Sequence, residues 1–307
     1  MNRLQWGQIK TIFIVSFLVL NLFLVQELLD KINASNYDTL ENRSTFEEQL
    51  AEQEITYDLP ERGQKEAYVS AQRYQLSEED LDILQGLLDH QLIGLTSNGG
   101  DVVSLDDIPD QDGYQSNYEV ITGEFLAPLD LDLEDDFKGS IEEIKSQVLY
   151  GDSFQYWNYY EKENVLLFFQ KQSDRTFYFN DSASLIVVLN EEGDAIQYRQ
   201  TFLEELEHRL EEQTVIDPIN AIREVWTNTT AGLPSQSEVT LDMGYQTLVP
   251  LDDGVQVFVP TWEVIVNNED HFFVNAMEGK YISHDGEQFV VTMKESLKRE
   301  IEELKSE

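Results

Sequence analysis

Apolar residues run almost unbroken from Thr11 to Val25, where Thr11, Ser16 and Asn21 are the polar members and no charge falls between Lys10 and Glu27. Carried on to Leu29, the run makes about 28 Å of helix at ~1.5 Å per residue, which matches the ~30 Å hydrocarbon slab of a membrane. Arg3 and Lys10 precede it, Glu27 and Asp30 follow it, and Trp6 sits where an interfacial aromatic anchor would. Positive charge kept inside puts the amino terminus in the cytoplasm and the rest of the chain outside. A cleaved signal peptide shares the charged start and the apolar core. Cleavage needs small residues just after that core, and Val25 to Asp30 offers none. The pattern favours an uncleaved anchor, with residues 1–30 as cytoplasmic tip and transmembrane helix.

Beyond the anchor, Asn33 to Ala71 is polar and short of strand runs, with Phe46, Leu50 and Ile55 as a weak helical trace. Ser77-Glu78-Glu79-Asp80 predicts an N-cap with acids in the first turn, and Leu81, Leu84, Leu87 and Leu88 one face of a helix to about His90. Ser97 to Gly100 reads as a turn, Asp106 to Tyr114 as a loop and Tyr118 to Phe125 as a strand. Residues 31–129 are therefore expected to be a stalk and small mixed element.

From residue 130 a degenerate repeat emerges. The first copy, 130–212, opens on a helix carrying Ile141, Ile144 and Val148. Strands follow at Phe154–Tyr160, Val165–Gln170, Thr176–Asn180 and Leu185–Leu189, then a linking helix from Thr201 to about Glu212. The second copy, 213–307, starts a helix at Asp217-Pro218, with Ile219, Ile222, Val225 and Trp226 on one face. Strands are expected at Glu238–Gln246, Val255–Val259, Trp262–Val266 and His271–Ala276, a short one near Phe289–Thr292, and a charged helix from Met293 to Leu304. The segments 188–196 and 274–282 echo each other as strand, glycine-containing turn, strand. The class is α+β: an N-terminal transmembrane helix, then an extracellular domain of two helix-on-antiparallel-sheet modules.

Charge narrows the function. The chain carries 60 acidic against 20 basic residues, a net charge of -40, which repels nucleic acid and anionic headgroups and excludes nucleic-acid binding. With 41% hydrophobic residues it is too core-forming for disorder, so the acids coat a folded surface. No cysteine is present, which removes disulfides and thiol or Cys-metal chemistry.

Candidate chemistry is thin. Gly151-Asp152-Ser153 resembles the nucleophile block of GDSL-type hydrolases, but that family needs an Asp three residues before a histidine. Here Leu87, Glu205, Asn268 and Tyr281 stand there. A turn capped by Asp152 is the plainer reading. The acids of Asp130–Asp136 have hard oxygens for calcium but lack the glycine and terminal glutamate of an EF-hand loop, and read as a solvated loop before a helix. On the expected linking helix His208 lies one turn from Glu204 and Glu212, with no second histidine near in the sequence, and reads as a solvated face. No catalytic residue, metal ligand or cofactor site is assigned. The aromatic stretch Trp157, Tyr159, Tyr160, Phe168, Phe169, Phe177, Tyr178 and Phe179 predicts sheet core. Adjacent aromatic pairs must turn one ring outward, toward a partner or a second sheet. Within the anchor, Asn21 shares a helical stripe with Ile14, Leu18 and Val25. An amide in lipid seeks a hydrogen bond, which makes the stripe the candidate partner-binding surface.

The opening, with Trp6, Ile9-Lys10-Thr11-Ile12-Phe13-Ile14 and Phe17-Leu18-Val19-Leu20-Asn21-Leu22-Phe23-Leu24, resembles the amino terminus of the YycI (WalI) family of Gram-positive bacteria. Leu248-Val249-Pro250-Leu251-Asp252-Asp253, Pro260-Thr261-Trp262-Glu263-Val264 and Phe273 to Gly279 are similar to that family's carboxyl region. The resemblance implies a non-enzymatic, membrane-anchored accessory protein. Its partners would be the sensor histidine kinase YycG (WalK) and the sister regulator YycH, in the pathway that controls cell-wall metabolism. The competing class is an extracellular cell-surface hydrolase or wall-polymer-binding module.

Overall fold

Val165–Phe169 and Leu185–Leu189 contain no polar interruption, which is too apolar for strands with one wet face. The computed structural model describes residues 10–11, 13–25, 46–97, 100–108, 117–230, 232–250 and 254–306, and it buries both faces of these strands. On β8 (Val165–Gln172), Leu166 and Phe168 face one core, while Val165, Leu167 and Phe169 face another. On β10 (Ser184–Leu189), Leu185 and Val187 join the first, and Ile186 and Val188 the second. The antiparallel register Leu185–Phe168, Ile186–Leu167, Val187–Leu166 keeps the two sets in phase.

These strands belong to an eight-stranded sheet. Its order is β5 (Val102–Ser104), β4 (Gln91–Ser97), β6 (Tyr118–Leu129), β11 (Ala195–Thr201), β10, β8 and β7 (Phe154–Tyr160), with β9 (Arg175–Thr176) beside β8. The sheet draws strands from both sides of the boundary expected at 129/130. One face is covered by α2 (Glu78–Gln85) and α3 (Phe137–Ser146). Ser77 caps α2 as its sequence predicts: its hydroxyl accepts from Asp80 N, and Asp80 accepts from Ser77 N at 2.7 Å. Burial alone would raise the Asp80 pKa, but hydrogen bonds from Tyr150, Ser77 and Tyr74 outweigh it and hold the carboxyl below its usual value.

The other face is closed by α5 (Gly286–Leu304), through Val290, Met293, Leu297 and Ile301, and by Phe273 of a second sheet. The strand expected at Phe289–Thr292 is instead the first part of α5. Its β-branched residues favour a strand locally, yet buried positions spaced three and four apart impose the helical period. Buried at this face, Arg199 Nε donates to Glu300 at 3.1 Å, and Thr122 Oγ1 donates to the same carboxylate at 2.7 Å.

The second sheet runs β14 (Glu238–Pro250), β15 (Gln256–Val266), β16 (Asp270–Asn275) and β17 (Lys280–Ile282), with α4 (Pro218–Asn228) packed on it. The strands expected at 255–259 and 262–266 are one continuous strand. Pro260 is tolerated because the second edge of β15 changes partner there, from β3 (Val69–Ala71) at 256–258 to β16 at 261–266. The echo between 188–196 and 274–282 is real: each is a hairpin, with Gly193 and Gly279 at positive φ in the turns.

The expected linking helix from Thr201 to Glu212 is absent. β11 runs to Thr201, and β12 (Glu207–His208) then pairs with β3. Glutamates at 204, 207 and 211 would repel one another along a helix, and the edge of β3 supplies backbone partners instead. The expected strand at 176–180 shortens to β9, after which Phe177 bridges Tyr245 and Phe179 turns at φ 49°. The expected stalk also holds strands: β1 (Thr56–Asp58), β3 and β2 (Lys65–Glu66), the last paired with β13 (Gln213–Thr214). Asn98 and Gly99 of the expected turn and 109–114 of the expected loop lie outside the described residues.

The chain divides into two compact units, Met1–Tyr57 with Pro234–Glu238, and Asp58–Leu233 with Val239–Glu307. In the first, residues 10–25 (apart from 12) are helical and are termed α1, and 46–52 form a short helix that buries Phe46 and Leu50. Among the described residues no helix is long and apolar enough to cross a membrane. Residues 1–9, 12 and 26–45, with parts of the expected anchor and stalk, lie outside them.

Glu300→Ala should destabilise the chain by about 3–5 kcal/mol, because it strands a buried guanidinium, whereas Arg199→Met with Glu300→Leu should recover most of the loss. Urea unfolding of the two variants measures both quantities.

Candidate partner-binding surfaces

Of the residues singled out in the sequence, Ile14, Leu18, Asn21 and Val25 do lie on one face of α1, together with Phe13, Phe17 and Leu22. The apolar members are largely uncovered: Ile14 is 66% exposed, Leu18 55% and Val25 51%. The Asn21 side chain is turned onto its own helix, where Nδ2 donates to the Phe17 carbonyl at 2.9 Å. Among the described residues its Oδ1 and second N–H have no further hydrogen bond.

The hydrolase-like block is a 3-10 turn, Gly151–Ser153, with no side-chain cap from Asp152. Glycine is required at 151 by close packing: a Cβ there would lie 2.0 Å from the Lys145 carbonyl oxygen at the end of α3. No hydrogen bond joins the Ser153 side chain to a histidine among the described residues. In the loop before α3, Asp132 accepts from Asp135 N and Asp136 caps the helix through Gly139 N. His208 is exposed on β12, a strand, so the helical spacing to Glu204 and Glu212 does not exist. Among the described residues no cluster of His, Asp and Glu is placed to hold a metal ion.

The aromatic stretch splits between the two faces of the first sheet. Phe154, Tyr156 and Phe168 pack with α3, while Trp157, Phe169, Tyr178 and Phe179 meet the second sheet and α5. The rings turned outward therefore make a second-sheet contact. β7 carries a bulge at Trp157, because Tyr156 pairs with Phe168 and Asn158 with Leu167. The extra residue resets the alternation, so Trp157 and Tyr160 both join the second core while Tyr159 joins the first.

Beside that contact lies a groove of about 730 Å³, lined from β7, β16, β17 and the start of α5. Trp157 forms its floor, with the His271 ring 4.4 Å away and Phe179 at 5.7 Å. His271 is fixed by a buried relay: its Nδ1 bonds Glu263 Oε1 at 2.6 Å, and Tyr178 Oη donates to Glu263 Oε2 at 2.6 Å. Burial first, and then the Glu263 charge, hold the Tyr178 phenol far above its ordinary value, so it stays a donor. His284 stacks on Phe179 at 4.6 Å and 17° and contacts the Gln246 amide through Nε2. The residue is exposed at its outer edge, and burial of the stacked ring lowers its pKa to about 4. Sequence reading missed the groove, which assembles residues from 157 to 287. The signal available was the run of aromatics on β7 that one buried face could not absorb.

In an NMR titration His284 should remain neutral well below the usual 6.5, protonating near 4. Unfolded chains bind that proton earlier, so this group favours the fold fully above pH 6.5, and its contribution falls as pH drops toward 4. Phe179→Ala, by uncovering one ring face, should move the titration back up.

Similarity to solved structures is distant. An uncharacterized protein from Eubacterium rectale aligns with a TM-score of 0.39 at 10% identity, covering 76% of this chain and 91% of that one. The Bacillus megaterium YpeB C-terminal domain aligns at 0.37 and 14%, covering 68% of this chain and 96% of its own. No curated protein matches the chain. The family described as YycI protein matches residues 34–277, most of the chain, with α1 outside the matched stretch. Because that match covers more than half of the chain, the chain belongs to the YycI family.

Proposed function

We propose that this chain is a non-enzymatic accessory protein that modulates the sensor kinase YycG (WalK), together with YycH, from a single-pass anchor with its amino terminus in the cytoplasm. Family membership associates it with the YycFG (WalRK) two-component system. The observation that carries the rest is the uncovered stripe of α1, whose apolar side chains have no core of their own and suit a lipid and helix environment. With the sequence run continued to Leu29 the segment reaches a bilayer span. The acid-coated domain lies outside, and its two sheets, α3 on one and α4 on the other, are read as two modules.

In this reading α1 packs beside the kinase's transmembrane helices, and a coupling of about 1–3 kcal/mol biases the kinase between two states. Asn21→Leu should weaken association with the kinase by about 3- to 30-fold, the equivalent of a lost interhelical hydrogen bond of roughly 0.6–2 kcal/mol. Cross-linking in membranes measures it. Replacing Gln8–Leu29 by an unrelated transmembrane helix should abolish both kinase pull-down and the change in expression of a wall-hydrolase gene. If both survive the swap, the anchor has no part in recognition.

A further inference from the structure

The groove floored by Trp157 is not used by the anchor-based reading, and its chemistry points to a ligand class of its own. Its lining includes four carboxylates, Glu269, Asp270, Asp285 and Glu287, and no lysine or arginine. Two of the four are engaged: Asp285 caps α5 by accepting from Gln288 N, and Glu287 pairs with Lys162 at 2.6 Å. Glu269 and Asp270 are exposed and have no ion-pair partner among the described residues. The half-buried rings of Trp157, Tyr160 and His271 line the same groove. An aromatic face next to unpaired carboxylates attracts a cation twice, through the ring quadrupole and through charge. An anionic ligand meets repulsion from the same groups, and a bare metal finds no set of ligands placed to hold it among the described residues.

The shape of the site selects further. β7 and β17, which contribute Trp157, Tyr160, Tyr281 and Ile282, are each the last strand of their sheet. Two strand edges flanking one groove offer backbone donors and acceptors to an extended chain. The bulge at Trp157 turns Trp157 and Tyr160 to this side, and the Tyr178–Glu263–His271 relay fixes the ring beside the indole. We propose that this groove binds an extended, basic segment of a partner protein, with an arginine or lysine side chain over Trp157 and its charge against Glu269 and Asp270.

A chain of net charge -40 attracts any cation weakly, so the test must separate the groove from the bulk field. The full chain, in nanodiscs of zwitterionic lipid, is titrated with a fluorescein-labelled hexa-arginine peptide at roughly 0.15 M salt, where surface charges are screened beyond about 8 Å. Fluorescence anisotropy reports binding, and a hexa-glutamate peptide serves as the opposite charge. Glu269→Gln with Asp270→Asn, both exposed and free of packing, should weaken binding about tenfold, as should Trp157→Leu. Glu191→Gln with Glu192→Gln, in the β10–β11 turn, removes the same charge elsewhere and should change it less than about twofold. Equal weakening by the two double variants would mean non-specific attraction and overturn the site. So would absence of hexa-arginine binding to the wild-type chain, or equal binding of hexa-glutamate. Because Trp157→Leu also alters packing, the exposed double variant decides.

Discussion

A sheet whose central strands are apolar on both sides has to be covered twice, and much of this architecture follows from that need. β8 and β10 leave no polar face, so α2 and α3 close one side while α5 and the edge of the second sheet close the other. The second sheet is thus held partly by aromatic contact, Tyr178 and Trp157 against Phe273 at 4.8 and 5.9 Å. The groove lies beside that contact and shares Trp157 and Phe273 with it.

The same covering requirement explains the buried charges. Arg199 points from β11 into the face that α5 closes, and Glu300 on the helix answers it, with Thr122 as a third member. An apolar pair would fill this place with little loss of stability, whereas a lone member would be costly. The arrangement ties the rotation and register of α5 to the sheet, because Glu300 must face that guanidinium to meet it. Lys294 to Glu163 and Lys305 to Glu124 reinforce it at the rim.

Much of this was legible in the sequence wherever the signal is local. Ser77 and Asp217 announce helix starts, β7 and β10 fall within a residue of their expected bounds, and the paired hairpins are visible as an echo. What was hidden depends on partners distant in the chain. Nothing near Tyr118 indicates that β6 will lie between β4 and β11, and nothing near Glu207 indicates the edge of β3. Phe289 to Thr292 misleads because β-branched residues suit a strand, until the burial of Val290 and Met293 decides for helix. The stripe of α1 was readable from spacing alone; the groove was not, since it joins four separate stretches and depends on a one-residue bulge.

The position of α5 has a consequence for how such a chain is made. The hydrogen bond that Thr122 of the first sheet donates to Glu300 of α5 spans 178 residues, and α5 follows every strand of that sheet in the chain. Until it arrives, Val165, Leu167, Phe169, Ile186 and Val188 have one uncovered side. The nascent domain therefore cannot reach its native core before α5 is available, and long-range closure of this kind is slow. Because α5 follows in the chain every strand it covers, that side of the first sheet stays open until the helix has been made.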